Sequence, residues 1–258
     1  MKQIIAKLGR WAIDTSLFYY GYLNFTLNFL KGCFNLHLLN PSVKLVFFRQ
    51  IYFTGVQIIP MFSVVSIVMG LVLVGGLTKF MVQFGAQDRV GEVLVLITIK
   101  HLAPTVAAIL LILRSSSAVT AEIALMKMNN EIDTLRSLSI NPYIYLYIPR
   151  ILSGVVCLGA LATIFVYISI LGGYMILSFN LNISFDFLIQ TIFDAFSFKI
   201  VLAFLIKILL LGYFVMSIPI YTALQVEDAV TEIPIALLKG MLRLFYAMIL
   251  VEVLGALI

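Results

Sequence analysis

Charge is scarce in this chain. Only 11% of its 258 residues are Asp, Glu, Lys or Arg, against 62% hydrophobic residues. A soluble domain carries charge on about a quarter of its residues, and a chain of this size has no interior large enough to hide so much apolar surface. Cysteine is nearly absent. Cys33 and Cys157 sit in different segments with neither C-x-x-C nor metal-ligand spacing, which leaves them as structural thiols rather than a disulfide or a metal centre. The sequence has no G-x-x-x-x-G-K-[ST] loop, no H-E-x-x-H pair and no nucleophile elbow. Nucleotide hydrolysis, zinc chemistry and acyl transfer therefore have no motif here. Basic stripes interleaved with aromatics are also missing, so the net charge of +5 does not point to nucleic acid. The opening Met1-Lys2-Gln3-Ile4-Ile5 lacks a long apolar run and a small-residue cleavage site, so no removable leader is expected.

What the chain has instead is long apolar runs. A hydrocarbon core about 30 Å thick needs roughly 20 apolar helical residues. Five stretches qualify: about 51–77, 93–113, 149–177, 200–224 and 235–257. Ahead of them, Ile4, Leu8, Trp11, Thr15, Phe18 and Tyr22 recur at steps of four and three, with Lys7, Arg10 and Asp14 off that line. This spacing predicts a helix with one apolar face, lying along the membrane interface or packed on its own protein. Asn40-Pro41-Ser42 breaks the chain, with Ser42 a candidate cap for the first span. Gly70, Gly75 and Gly76 permit close helix approach or bending. Polar stretches at 83–92, at Asn180, Asn182, Asp186 and Asp194, and at 225–234 read as connections.

Orientation follows from Lys and Arg. One side holds Lys2, Lys7, Arg10, Lys31, Lys44, Arg49, Arg114, Lys127, Arg136 and Arg150; the other holds Lys79, Arg89 and Lys199. That asymmetry puts the N-terminus and the 114–150 loop in the cytoplasm, and five spans then put the C-terminus outside. The acidic 225–234 turn dissents, being on the cytoplasmic side with no Lys or Arg of its own.

Two groups of residues stand out. The stretch 114–142 is polar yet helix-compatible, with Ile123, Met126, Leu135 and Leu138 beside Glu122, Glu131 and Asp133. It reads either as a helix that docks on a soluble partner or as a solvated connection. Within the spans, Lys100, His101 and Lys207 are ionisable residues at costly positions. Each lysine can attract a lipid phosphate, pair with an acid of a neighbouring helix, or snorkel to an interface. His101 is either a titrating group or a satisfied structural histidine. Glu252 is nearly the only acid in the spans and no internal repeat is visible, which counts against an ion-gradient-driven transporter or channel, the alternative reading.

The 114–150 segment resembles the signature of the MlaE/YrbE permeases. The matching residues are Arg114, Ala118, Thr120, Ala121, Glu122, Met126, Lys127, Glu131, Asp133, Asn141-Pro142 and Pro149-Arg150. The likeness extends upstream through Arg49-Gln50-Ile51-Tyr52, Gly55 and Leu102-Ala103-Pro104-Thr105-Val106-Ala107-Ala108, and covers about residues 45–215. Departures are clear as well. Lys100-His101-Leu102-Ala103-Pro104 stands where relatives carry Arg-Glu-Leu-Gly-Pro, and Ser116 and Ala124 stand where relatives favour Gly.

The resemblance implies an all-α membrane protein: an interfacial amphipathic segment (1–44), then five transmembrane helices (45–258) with a cytoplasmic coupling helix, all in one permease domain. It implies a homodimer in the bacterial inner membrane that moves phospholipid. Its partners would be a cytoplasmic ABC ATPase, which binds the ATP and Mg, and a periplasmic MCE-domain protein. The chain itself would hold no cofactor and no catalytic residue. Glu122, Met126, Glu131, Asp133 and Leu135 would contact the ATPase. Lys100 and Lys207, with Leu73, Phe80, Phe84 and Leu102 as apolar wall, would line a lipid cavity near the dimer axis.

Overall fold

The computed structural model describes residues 2–33, 40–85, 93–181, 190, 197–226 and 231–257. Among them every regular element is helical. The elements are α1 (Lys2–Cys33), α2 (Pro41–Thr54), α3 (Ile59–Met69), α4 (Gly75–Gln83), α5 (Ala103–Leu111), α6 (Ser117–Met128), α7 (Glu131–Ser137), α8 (Ile148–Leu181), α9 (Phe198–Ala223) and α10 (Glu232–Leu257). Five helical runs are long and apolar enough to cross a membrane: Pro41–Met81, Leu96–Met128, Tyr143–Gly172, Phe198–Ala223 and Glu232–Ala256. The all-α membrane architecture read from the apolar runs is therefore present. Residues 86–92, Asn182, Asp186, Asp194 and Glu227-Asp228 of the expected connections lie outside the described residues, as do the side chains of residues 2–15.

Several boundaries shift, for identifiable reasons. The first helix starts at Pro41, at the Asn40-Pro41-Ser42 break, ten residues before the apolar run expected from about 51. Proline suits a first helical turn because its missing N–H would be unsatisfied there anyway. Ser42 is not the cap; Asn40 precedes the helix, its carbonyl accepts from the Val43 and Lys44 amides, and no side chain caps. A 3-10 turn at Val56–Ile58 ahead of Pro60 and a π-helical turn at Gly70–Val74 interrupt this span. The third span opens at Tyr143 rather than Pro149, through another π-helical turn, Tyr143–Tyr147.

The largest correction concerns the second span. Its helix does not end at Leu113 but continues through a π-helical turn (Ile112–Ser116) into α6, as far as Met128. The hydroxyl residues beyond Arg114 are accommodated inside the helix. Ser117 Oγ donates to the carbonyls of Leu113 and Arg114, and Thr120 Oγ1 donates to that of Ser116. Ser116 Oγ reaches across to the Val215 carbonyl at 2.8 Å. That carbonyl lies four residues before Pro219, which sits inside α9 and has no N–H to offer it. Ser116 thus supplies the donor that the proline withholds, as a membrane interior requires.

The main core is a cluster of buried residues running from Phe18 to Val251, with a small separate cluster of Leu94 and Met81. At its centre α8 packs on α2, α3, α5 and α9, while α9 packs on α6 and α10. Small residues set these distances. A Cβ on Gly70 would lie 2.5 Å from the Ser169 carbonyl oxygen, and one on Gly212 would lie 2.6 Å from the Val155 Cα. Backbones meet directly at both crossings, as is common between membrane helices.

The amphipathic helix α1 packs on the bundle. Phe18, Tyr22, Phe25 and Phe29 are buried against Tyr143, Tyr147, Tyr213 and Tyr221. Tyr22 Oη and Ser217 Oγ lie 2.6 Å apart, and burial pushes the Tyr22 phenol well above its usual range. The opposite face of α1 exposes Leu17, Tyr20, Leu23, Leu27 and Leu30. The spans likewise expose Val64, Val72, Leu209, Leu238 and Tyr246. Apolar exposure on this scale marks surface that meets lipid or another membrane chain.

Candidate functional site

The segment 114–142 folds as a bent pair. α6 extends the second span, and Asn130 then takes a left-handed conformation (φ 56°) that turns the chain into α7. Only part of the pair projects. Val119, Ile123 and Ala124 are buried against α9 and α10, so Ile123 is a core residue and not a contact for a partner. Glu122, Glu131 and Asp133 are exposed, and Met126 and Leu135 are partly exposed. Arg150 Nη2 donates to Glu122, and Arg136 Nη1 donates to Asp133 at 2.8 Å. Glu131 Oε1 is 3.3 Å from Asn129 Nδ2. α7 therefore presents acidic groups and one half-buried leucine at the tip of a helix that is continuous with a span.

Lys127 ties this tip to the rest of the bundle. Its Nζ donates to the carbonyls of Leu224 (2.8 Å) and Val226 (2.6 Å) just past the end of α9. A cation there satisfies carbonyls that have no intrahelical donor and complements the helix dipole. The 225–234 turn lacks Lys and Arg of its own but receives this one from the 114–150 loop.

The ionisable residues within the spans converge. Lys207 on α9 is 1% exposed. Its Nζ donates to Glu252 Oε2 on α10 at 2.6 Å and to the Lys100 carbonyl at 2.8 Å, and lies 3.2 Å from His101 Nδ1. The Lys100 carbonyl is four residues before Pro104, so here too a side chain from another helix fills a vacancy created by a proline. His101 Nδ1 is also 3.2 Å from Glu252 Oε2. One nitrogen cannot serve both partners in the same way. With a lone pair it accepts from Lys207; with a proton it donates to Glu252. Thr105 Oγ1 lies 2.6 Å from Glu252 Oε1 and 2.7 Å from the His101 carbonyl, and its one proton serves one of them at a time. A Cβ on Gly255 would collide with Lys207 Cε, so this glycine makes room for the lysine.

Of the two options for Lys207 that concern binding, the single chain realises pairing with an acid. Its ammonium faces Glu252, not open surface. Lys100 and Leu102 are half-buried beside it, and Leu73 is half-buried on the first span. Phe80 and Phe84 are exposed at the end of that span, their rings 4.6 Å apart. Leu73, Phe80 and Phe84 carry no polar side-chain atom and take no part in the hydrogen-bonded Lys207 cluster. Sequence reasoning noted Glu252 as a lone acid but did not connect it to Lys207. The signal was present: Lys207 is the one charge of the fourth apolar run and Glu252 the one acid of the fifth, and Pro104 offers no N–H to the Lys100 carbonyl.

Five helices long enough to span, one of them continuing into α6, and a charged cluster between the second, fourth and fifth define a polytopic helical membrane protein. Comparison with known sequences carries this further. The family model described as permease MlaE matches residues 47–258, and the chain belongs to that family. A probable ABC transporter permease protein of Rickettsia typhi is 26% identical over 182 residues, 70% of each chain. The intermembrane phospholipid transport system permease protein MlaE of Haemophilus influenzae is 32% identical over 130 residues, 50% of this chain and 49% of the relative. A probable ABC transporter permease protein of Synechocystis is 27% identical over 151 residues, 58% of this chain and 57% of the relative.

Proposed function

We propose that this chain is the membrane subunit of an ABC-type transporter that moves phospholipid between a bacterial inner membrane and a periplasmic MCE-domain partner. A separate cytoplasmic ATPase, carrying the ATP and Mg, drives it. The observation that carries this reading is the continuity of the second span's helix with α6, to which α7 is joined through the left-handed turn at Asn130. A push on Glu131, Asp133 or Leu135 acts on a lever that passes Met126 and Glu122, packs on α9 and α10, and runs into the membrane. The Haemophilus influenzae relative's name supports phospholipid as the substrate.

The working unit is a pair of copies, each one permease domain, with the N-terminus cytoplasmic and the C-terminus periplasmic. The exposed apolar faces of the spans suit contact with a second copy and with lipid. Lipid tails lie along Leu73, Phe80, Phe84 and Leu102, while Lys100 and the Lys207 cluster set the charge felt by the headgroup. Cysteine placed at Glu131 and crosslinked to a co-expressed ATPase tests the coupling. A crosslinked product is expected; failure at every exposed position of α7 would refute it.

The Lys207–His101–Glu252 cluster favours a second reading, transport driven by an ion gradient, because paired ionisable groups within a bundle serve proton relays. Collapse of lipid transport on loss of the ATPase, with the gradient intact, supports the ATP-driven reading; the reverse supports the second.

A further inference from the structure

At the Arg-rich end of the bundle a cleft of about 580 Å³ opens between α2, the Arg114–Met126 stretch and the start of the third span. Three guanidiniums line it, from Arg49, Arg114 and Arg150, and Glu122 is its only acid. Arg150 is 4% exposed. Its Nη2 donates to Glu122, but its Nε and Nη1 are buried with no acceptor among the described residues. Orphaned donors on a buried cation are costly, so Arg150 stays a cation only partly compensated by Glu122. Arg114 is exposed; its Nη1 donates to the Gln57 carbonyl at 2.7 Å, a neutral partner that leaves its charge uncompensated. Arg49 is exposed, lies over the Phe53 ring at 5.7 Å and forms no ion pair among the described residues. One carboxylate against three guanidiniums leaves two positive charges.

The rim decides what kind of anion fits. Leu45 and Phe53 line the cleft and are exposed, and Phe48 and Tyr52 are exposed on the same helix. Arginines alone would suit any small anion. Arginines beside an exposed apolar helix at the end of a span suit an amphiphile, with its anion on the guanidiniums and its chains along α2.

We propose that this cleft binds the phosphate group of an anionic phospholipid from the adjacent leaflet, at a site separate from the cavity assigned to the transported lipid. The proposal rests on the membrane-spanning reading but on neither transport nor an ATPase. Arg49 and Arg114 grip the phosphate at the rim, and Arg150 stands behind Glu122, whose carboxylate gives way to the phosphate. Because Glu122 lies on α6, occupancy of the cleft is sensed by the helix that carries the proposed coupling tip.

The test is native mass spectrometry of the whole chain in detergent, titrated with phosphatidylglycerol. The double variant Arg49→Gln/Arg114→Gln is compared with Lys31→Gln/Lys44→Gln, which removes equal charge from exposed positions outside the cleft. Size-exclusion profiles confirm that both fold. Arg150 is left intact because its burial makes its replacement a folding risk. Loss of two charge-assisted contacts should weaken phosphatidylglycerol binding by about ten-fold or more in the arginine variant, with little change in the lysine variant. Equal weakening in both would overturn the site, because only surface charge would then be at work. Inorganic phosphate in large excess separates the sources. No displacement of phosphatidylglycerol supports the lipid, whereas full displacement assigns the cleft to soluble phosphate and overturns the lipid assignment. Unchanged lipid binding in the arginine variant, together with lost ATPase capture, would make the cleft a protein dock and also refute the proposal. Since the titration uses no partner, its failure leaves the transporter reading standing.

Discussion

Replacing Lys207 by Met probes the charged cluster most sharply. Lys207 is 1% exposed and its ammonium contacts Glu252, the Lys100 carbonyl and the His101 ring. Methionine has a similar length and fills the space beside Gly255, so packing changes little. What changes is charge: Glu252, whose side chain is 21% exposed, keeps only Thr105 and His101 as partners. Removing one member of a buried pair costs about 3–5 kcal/mol, and the partial exposure of Glu252 places this case near about 3 kcal/mol. The second variant, Lys207→Met/Glu252→Gln, removes the stranded carboxylate and should recover most of that loss, because a neutral amide still accepts from Thr105. The assay is thermal unfolding of the detergent-purified chain. The single variant should melt at least about 5 °C lower, and the double variant should lie closer to the parent than either single variant. A single variant as stable as the parent, or a double variant showing the simple sum of both losses, would refute the pairing argument.

Three further outcomes follow from the packing. Gly255→Ala places a methyl group against Lys207 Cε and should destabilise by about 1–3 kcal/mol, less so in a Lys207→Ala background; equal losses in both backgrounds would contradict it. Ser116→Ala removes the donor to the Val215 carbonyl and should cost about 1–2 kcal/mol in the same melting assay, a loss that vanishes when Pro219 is also replaced by Ala. Cys33 lies at the end of α1, and burial pushes its thiol above the usual value. It therefore holds less thiolate than a free thiol at a given pH. Maleimide labelling of Cys33 should be slower than that of a free thiol at pH 7 and gain speed as pH rises toward the raised value; labelling at the free-thiol rate would contradict the burial.

Much of this architecture was legible because the membrane restricts what a sequence can mean. All five apolar runs fall on helices long enough to span, since length and hydropathy alone decide whether a helix can cross, although the first helix begins ten residues before its run and the second continues fifteen residues past its own. The helical face marked by Phe18 and Tyr22 was visible as periodicity, and it continues through Phe25 and Phe29. The ends of the spans were harder. Arg114 was read as the end of the second span, yet the Ser116 and Ser117 hydroxyls beyond it bond to carbonyls and the helix passes through them. Ile123 looked available to a partner because its neighbours are polar, while packing on α9 and α10 buries it. The Lys207–Glu252 pair and the three-arginine cleft join residues far apart in the chain, and no periodicity reports such pairings. Prolines were the unread signal, because Pro104 and Pro219 each leave a carbonyl that a distant side chain fills.

Co-purification of the chain in detergent with a co-expressed cytoplasmic ATPase, followed by mass spectrometry of subunit stoichiometry and bound lipid, tests the transporter reading most directly. Two copies of this chain with two ATPases and bound phospholipid is the predicted result. A folded chain that emerges alone, without ATPase or lipid, would contradict it.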